Sequence, residues 1–142
     1  MIQRLLEKFS AGTKTPEPED TALAAAVLLT EVIKADYAVD DTEKSAMKKA
    51  MTALIPERDA EVLLTEAFST SDTANDLQKF TSIVHKHWSD EQKSDLLVGM
   101  WRVAFADEKL DKYEEHIIRR IADLLYIPHS EFIRTKLIAR DH

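Results

Sequence analysis

Ala35-Asp36-Tyr37-Ala38-Val39-Asp40-Asp41-Thr42-Glu43 returns later in the chain as Ala106-Asp107-Glu108-Lys109-Leu110-Asp111-Lys112-Tyr113-Glu114. Both stretches read Ala-Asp-x-x-apolar-Asp-x-x-Glu. Their flanks agree too. Leu29 and Val32 precede the first copy as Met100 and Val103 precede the second, and Ala46, Met47, Ala50 and Leu54 follow the first as Ile117, Ile118, Ile121 and Leu125 follow the second. Self-similarity on this scale marks a repeated structural unit. Each copy reads as an apolar helix, a short acidic turn and a second apolar helix, with the apolar positions three and four apart.

The segments around the repeat carry the same helical period. From Asp20 to about Ala35 a helix without a breaker places Leu23, Ala26, Val27, Leu29, Val32 and Ile33 inward. The second helix covers Asp41 to Leu54 and stops at Pro56, which is also a permitted first-turn residue for the next. That next helix, Glu57 to Phe68, buries Val62, Leu63 or Leu64, and Phe68, and Ser69-Thr70-Ser71-Asp72 then reads as a polar break with an N-cap. Leu77, Phe80, Val84 and Trp88 line another helix. Ser89-Asp90-Glu91-Gln92 has the capping-box form and opens a helix through Leu96, Leu97, Met100, Trp101 and Ala104. Lys112 to Leu125 repeats the helix after the first acidic turn. Pro128 breaks it, and a last helix from Ser130 to about Ala139 rests on Phe132, Ile133 and Leu137. No stretch has a period of two. The reading is an all-α single-domain bundle of seven or eight helices with an internal pseudo-twofold repeat of helix-acidic turn-helix hairpins.

Ahead of this domain, which spans residues 19–142, residues 1–18 read as an amphipathic helix and a linker. Ile2, Leu5, Leu6 and Phe9 share one helical face, and Ala11 to Pro18 carries Gly12, Pro16 and Pro18 with no apolar period. Docking on its own domain or on a dimer mate is one use for residues 1–10. Peripheral membrane association is the other, although the cationic residues that usually supply a second anchoring signal are few.

Composition excludes several classes of function. Asp+Glu number 26 against Lys+Arg 19, a net charge of -7, and no basic face is present to track a phosphate backbone, which argues against nucleic acid as a partner. With no cysteine there is neither a disulfide framework nor thiolate chemistry. The longest unbroken apolar run, Ala22 to Leu29, is far short of a bilayer span, and no small-residue cleavage site follows the N-terminus. These features predict a cytoplasmic protein. Gly12 and Gly99 are the only glycines, so there is no phosphate-binding loop and no serine elbow. The expectation is a non-enzymatic protein without an organic cofactor.

The acidic turns carry the remaining chemistry. Asp40 with Glu43, and Asp111 with Glu114, lie three apart at a helix start, which suits a capping box and complements the helix dipole. The same four carboxylates could equally be ligands. Asp36 and Asp107 sit where a preceding helix ends, an end that disfavours an anion. Backbone amides in a tight turn could hold them. Alternatively they converge with their turn-mates into a carboxylate cluster, which a hard divalent cation such as Ca²⁺ or Mg²⁺ would sustain, with Zn²⁺ less suited. Lys34, Lys44, Lys109 and Lys112 are the competing neutralisers. The spacing is not that of an EF-hand loop, so an ion would be shared between turns. His85, His87, His116, His129 and His142 are dispersed and read as surface residues.

Leu28-Leu29-Thr30-Glu31-Val32-Ile33-Lys34-Ala35-Asp36 with Glu43, and Met100-Trp101-Arg102-Val103-Ala104-Phe105-Ala106-Asp107 with Glu114, resemble the paired Ala-Asp-Gly…Glu signatures of TerB-like tellurite-resistance proteins. The resemblance runs from about Asp20 to the C-terminus and includes the Pro128-to-Phe132 segment. Tyr37 and Glu108 stand where the family pattern has a glycine. The resemblance implies an all-helical, pseudo-twofold bundle with an acidic surface, a metal-binding or scaffolding module in stress-linked assemblies. A related domain occurs in membrane-anchored DnaJ-type co-chaperones. It marks Asp36, Glu43, Asp107 and Glu114 as site residues, with Asp40 and Asp111 in support. Two functions follow. One is a cation-binding scaffold or sensor; the other is a metal-free, co-chaperone-like interaction module that uses its acidic face or N-terminal helix to hold a protein partner.

Overall fold

The structure, a computed structural model, describes residues 18–34, 41–73, 77–106 and 112–141. Seven α-helices and no strand lie among them: α1 (Pro18–Lys34), α2 (Asp41–Leu54), α3 (Ala60–Thr73), α4 (Leu77–His87), α5 (Asp90–Ala104), α6 (Lys112–Leu124) and α7 (His129–Arg140). The chain is all-α as its periodicity requires. The amphipathic segment at residues 1–10 falls outside the described residues, as do Asp36, Asp40, Asp107, Asp111 and the intervening turn residues.

Helix α1 is the centre. Every side chain from Ala24 to Leu29 is buried, so this stretch has no solvent face. Its alanines make that possible, because a helix with a thin surface lets neighbours approach from several sides at once. It packs on α3 and α4 most extensively, and on α5 and α6. Helix α5 is the second organiser, with α2 on one side and α7 on the other. Gly99 lies where α5 meets α2, and a Cβ there would come within 3.2 Å of the Ala50 Cβ. The missing side chain thus sets how closely the two helices pack.

Several positions matched in the sequence repeat share their burial. Leu29 and Met100, Val32 and Val103, Met47 and Ile118, and Ala50 and Ile121 are all buried. In each half the third helix packs on the first, α3 on α1 and α7 on α5.

Local signals account for most helix ends. Ser89 Oγ accepts from the Gln92 N–H at 3.2 Å while Gln92 Oε1 accepts from the Ser89 N–H at 2.9 Å, the reciprocal capping box that opens α5. Asp59 Oδ1 accepts from the amides of Glu61 and Val62, and this cap starts α3 at Ala60, later than the expected Glu57. Helix α6 ends in a Schellman arrangement: the Ile127 N–H donates to the Ala122 carbonyl at 2.9 Å and the Tyr126 N–H to Asp123 at 3.1 Å. Tyr126 stands there at φ 60°, in the left-handed region that glycine usually fills.

Two expectations are corrected. Ser69-Thr70-Ser71-Asp72 is not a break but the last part of α3. The Thr70 hydroxyl donates to the Glu66 carbonyl one turn back, and Ser71 is buried against α1, so tertiary contacts override the turn preference of a Ser/Thr run. The inward faces of α3 and α7 also differ in part from the expected ones, although Leu63, Leu64 and Phe132 are buried as expected. Val62, Ile133 and Leu137 are exposed, whereas Leu63, Leu64 and Ala67 on α3 and Phe132, Thr135 and Ala139 on α7 are buried. Thr135 takes an inward position because its hydroxyl is used twice, accepting from Trp101 Nε1 at 3.2 Å and donating to the Phe132 carbonyl at 2.8 Å.

Candidate functional site

Of the six carboxylates singled out in the sequence, Glu43 and Glu114 lie among the described residues; Asp36, Asp40, Asp107 and Asp111 do not. Glu43 is the third residue of α2 and Glu114 the third of α6. Both are 0% exposed. Their neighbours in the first turns face solvent: Asp41, Thr42 and Lys44 around Glu43, Lys112 and Tyr113 before Glu114. The third position is where a capping-box glutamate belongs. Cap geometry alone does not call for complete burial, since a carboxylate withdrawn from water has to be compensated by hydrogen bonds, opposite charge or a metal ion. The shared burial is therefore the structural property that distinguishes these two glutamates from ordinary first-turn acids.

The polar contacts that join neighbouring helices differ between the two halves. At the end of α1, just ahead of the first acidic turn, Ser71 Oγ donates to Glu31 Oε1 while Lys34 Nζ donates to Ser71 Oγ at 2.9 Å and to the Ser71 carbonyl at 3.3 Å. Lys34, one of the four possible neutralisers, is thus engaged with α3. In the second half, Lys136 Nζ reaches Glu115 Oε2 at 2.7 Å, joining α7 to α6 beside Glu114. Farther along α7, Glu131 accepts from Arg134 at 2.6 and 2.8 Å and from Ser94 on α5 at 2.7 Å. The Arg134 hydrogen bonds, followed by that from Ser94, lower the Glu131 pKa to about 2 against the opposing effect of desolvation.

No group of three or more His, Asp or Glu residues among the described residues is placed to hold a metal ion. An ion at the acidic turns would accordingly need the aspartates that flank Glu43 and Glu114. His85, His87, His116 and His129 are exposed, as expected of surface histidines. The sequence reading did not anticipate the setting of His85. Its Nδ1 is 2.6 Å from Nζ of Lys93, whose side chain is only 5% exposed and lies 3.8 Å from Asp90, and the imidazole also rests on the Tyr126 ring. The position of Lys93, three and four residues before Leu96 and Leu97 on the buried stripe of α5, was the available signal.

The described residues form an all-helical domain in which α2 and α6, each following an acidic turn in the sequence, bury a glutamate at their third position. A family model for tellurite resistance protein TerB matches residues 22–137, and the chain belongs to that family. No curated protein and no solved structure matches the chain. No described helix is long and apolar enough to cross a membrane.

Proposed function

We propose that this TerB-family chain is a non-enzymatic module that binds a divalent cation at its paired acidic turns and serves as a scaffold or sensor in a stress-response assembly. The family is generally non-enzymatic. The observation that carries the proposal is the complete burial of Glu43 and Glu114, each the third residue of its helix. Asp36, Asp40, Asp107 and Asp111 supply the remaining oxygens. A donor set made only of carboxylates suits Ca²⁺ or Mg²⁺, which take oxygen ligands, better than Zn²⁺, which favours thiolates, absent from this chain, and imidazoles. Binding would tie the end of α1 to the start of α2 and the end of α5 to the start of α6. Ion occupancy would thereby bias how the two central helices sit, and the partner, which we place among cytoplasmic proteins, would read that arrangement. The segment ahead of α1 is a separate appendage in this reading.

The test is thermal unfolding of metal-stripped protein titrated with Ca²⁺, Mg²⁺, Mn²⁺ and Zn²⁺, with the Asp36→Asn/Asp107→Asn variant alongside. A ligand confined to the native state stabilises it by about 2.7 kcal/mol at a hundredfold excess over its Kd. A cation that raises the wild-type midpoint and leaves the variant unmoved is the expected result. Indifference of the wild type to all four cations overturns the ion site and leaves the glutamates as caps in a metal-free interaction module.

A further inference from the structure

Helices α2 and α7 both lie on α5 and leave a trough between them. It consists of two adjoining cavities of about 530 and 620 Å³ that share Ala46, Lys49 and Arg102. On the α2 side Ala46, Ala50 and Ala53 line it, at spacings of four and three; Val98 and Gly99 of α5 form its floor, and Ile138 of α7 closes the other side. The trough follows α2 from Asp41 to Leu54. That length is roughly 20 Å at 1.5 Å per residue, or between three and four helical turns.

The charge in the trough runs against that of the chain. The protein carries a net charge of -7, yet the residues common to both cavities include two cations, Lys49 and Arg102, both exposed and neither ion-paired among the described residues. Arg134 adds a third cation on α7 and is held by Glu131. Asp95 lies toward one end and Asp41 toward the other. The centre of the trough is therefore basic over an apolar, small-residue surface that a helix backbone can approach closely.

We infer that the α2/α5/α7 trough is a docking site for an acidic amphipathic helix of a partner protein, whose apolar stripe lies over Ala50, Gly99 and Ile138 and whose central carboxylates meet Lys49 and Arg102. Helix-in-groove recognition reads anchors at i, i+3, i+4 and i+7, and electrostatic complementarity fixes the register. The chain's own first ten residues are a poorer occupant, since Arg4 and Lys8 outweigh Glu7 and give the segment the same sign of charge as Lys49 and Arg102. The argument for the trough does not use the cation proposed above, although one end of the trough, at Asp41, Thr42, Phe105 and Ala106, adjoins both acidic turns in sequence.

The experiment uses the full-length chain and three labelled peptides of about four helical turns. One is amphipathic with Glu at the two central polar positions, one has Lys in their place, and one is a non-amphipathic scramble of the first. Fluorescence anisotropy reports affinity, and the Lys49→Glu/Arg102→Glu variant is first checked for an unchanged helical spectrum and melting midpoint; if it is destabilised, Lys49→Gln/Arg102→Gln replaces it. Binding of the acidic amphipathic peptide alone, weakened at least tenfold in the variant, is expected. With the charge-reversed variant, preference should move to the Lys peptide. Equal binding of the acidic and basic peptides, no binding of either, or binding of the scramble overturns the proposal. Laurate displacing the acidic peptide with the same dependence on Lys49 and Arg102 would assign the trough to small anionic amphiphiles instead. A gain in peptide affinity in full-length Leu5→Ser/Phe9→Ser would assign it to the chain's own N-terminus.

Discussion

In the first half of the molecule the third helix is fastened to the first by polar groups: Ser71 of α3 lies between Glu31 and Lys34 of α1. In the second half the same pair of elements is joined through an aromatic cluster, with Trp101 of α5 edge-on to Phe132 of α7 at 5.1 Å and bonded to Thr135. Arg119 lies over the Phe132 ring at 4.9 Å and Lys136 over the Trp101 ring at 5.4 Å, so the cations cover the aromatic faces. The buried glutamate is nevertheless the same in both halves. The two halves are thus fastened by different chemistry, while α2 and α6 each keep a fully buried glutamate at their third position.

The comparison can be broken most sharply at Trp101. Trp101→Ala removes the largest fully buried side chain and should cost about 3–5 kcal/mol by denaturant unfolding. The damage should be concentrated in α5 and α7, with hydrogen-exchange protection of α3 retained better than that of α7. Uniform loss of protection across both halves would show that the two fastenings act as one cooperative unit. The milder Thr135→Val change leaves Trp101 Nε1 without its acceptor and should cost about 1–3 kcal/mol.

Ser71→Ala tests the polar fastening. It removes the donor to Glu31 and an acceptor for Lys34 at a buried residue whose partners reach solvent, at an expected cost of about 1 kcal/mol. Here protection should fall in α3 and the end of α1. An effect as large as that of Trp101→Ala would mean that the polar contact, not the apolar core, holds α1 in place.

Smaller again is the pH dependence contributed by the second half. Glu131 normally titrates at 4.5 and is held at about 2 by Arg134 and Ser94. A carboxyl whose pKa is lower when folded stabilises the native state fully above its unfolded value and loses that contribution as pH falls through the folded one. The stabilisation is therefore complete above about pH 5 and fades between there and pH 2. Arg134→Met should flatten this part of the stability profile, and a profile unchanged by the substitution would remove the contact from any account of acid sensitivity. The Arg134 side chain is 59% exposed, so solvent screening keeps the effect below that of Ser71→Ala.

Helix content and the inward residues of α2, α5 and α6 were legible because their apolar residues recur at helical spacing and their starts carry acidic or capping residues. The end of α3 was not, since a Ser/Thr run signals a turn unless a distant partner, here Glu31 and Lys34, engages it. Nor could periodicity place Thr135 inward ahead of Ile133 and Leu137, because its position depends on the indole it meets on another helix. For the candidate site, the repeat singled out Glu43 and Glu114, but their spacing alone could not tell an exposed cap from a buried carboxylate. The trough was illegible for a related reason: Ala46, Ala50, Ala53 and Gly99 acquire their meaning only when α7 stands across from them.

The ends of α2 and α6 supply the finest contrast and the smallest effect. Helix α2 passes into Pro56, whereas α6 closes on Tyr126 at φ 60°. An L-residue in the left-handed region pays about 1–2 kcal/mol in steric cost that glycine avoids. Tyr126→Gly removes that cost but enlarges the freedom of the unfolded chain, which offsets up to about 1 kcal/mol. It also deletes the ring contact with His85, whose centroid lies 4.7 Å away. With the tyrosine 76% exposed, little apolar burial is lost. The net should be a gain of a few tenths of a kcal/mol, read as a slightly higher unfolding midpoint. A clear loss of stability would mean instead that the Tyr126, His85 and Lys93 contacts between α6, α4 and α5 outweigh the backbone strain, and that the second half retains a strained residue because its side chain holds three helices together.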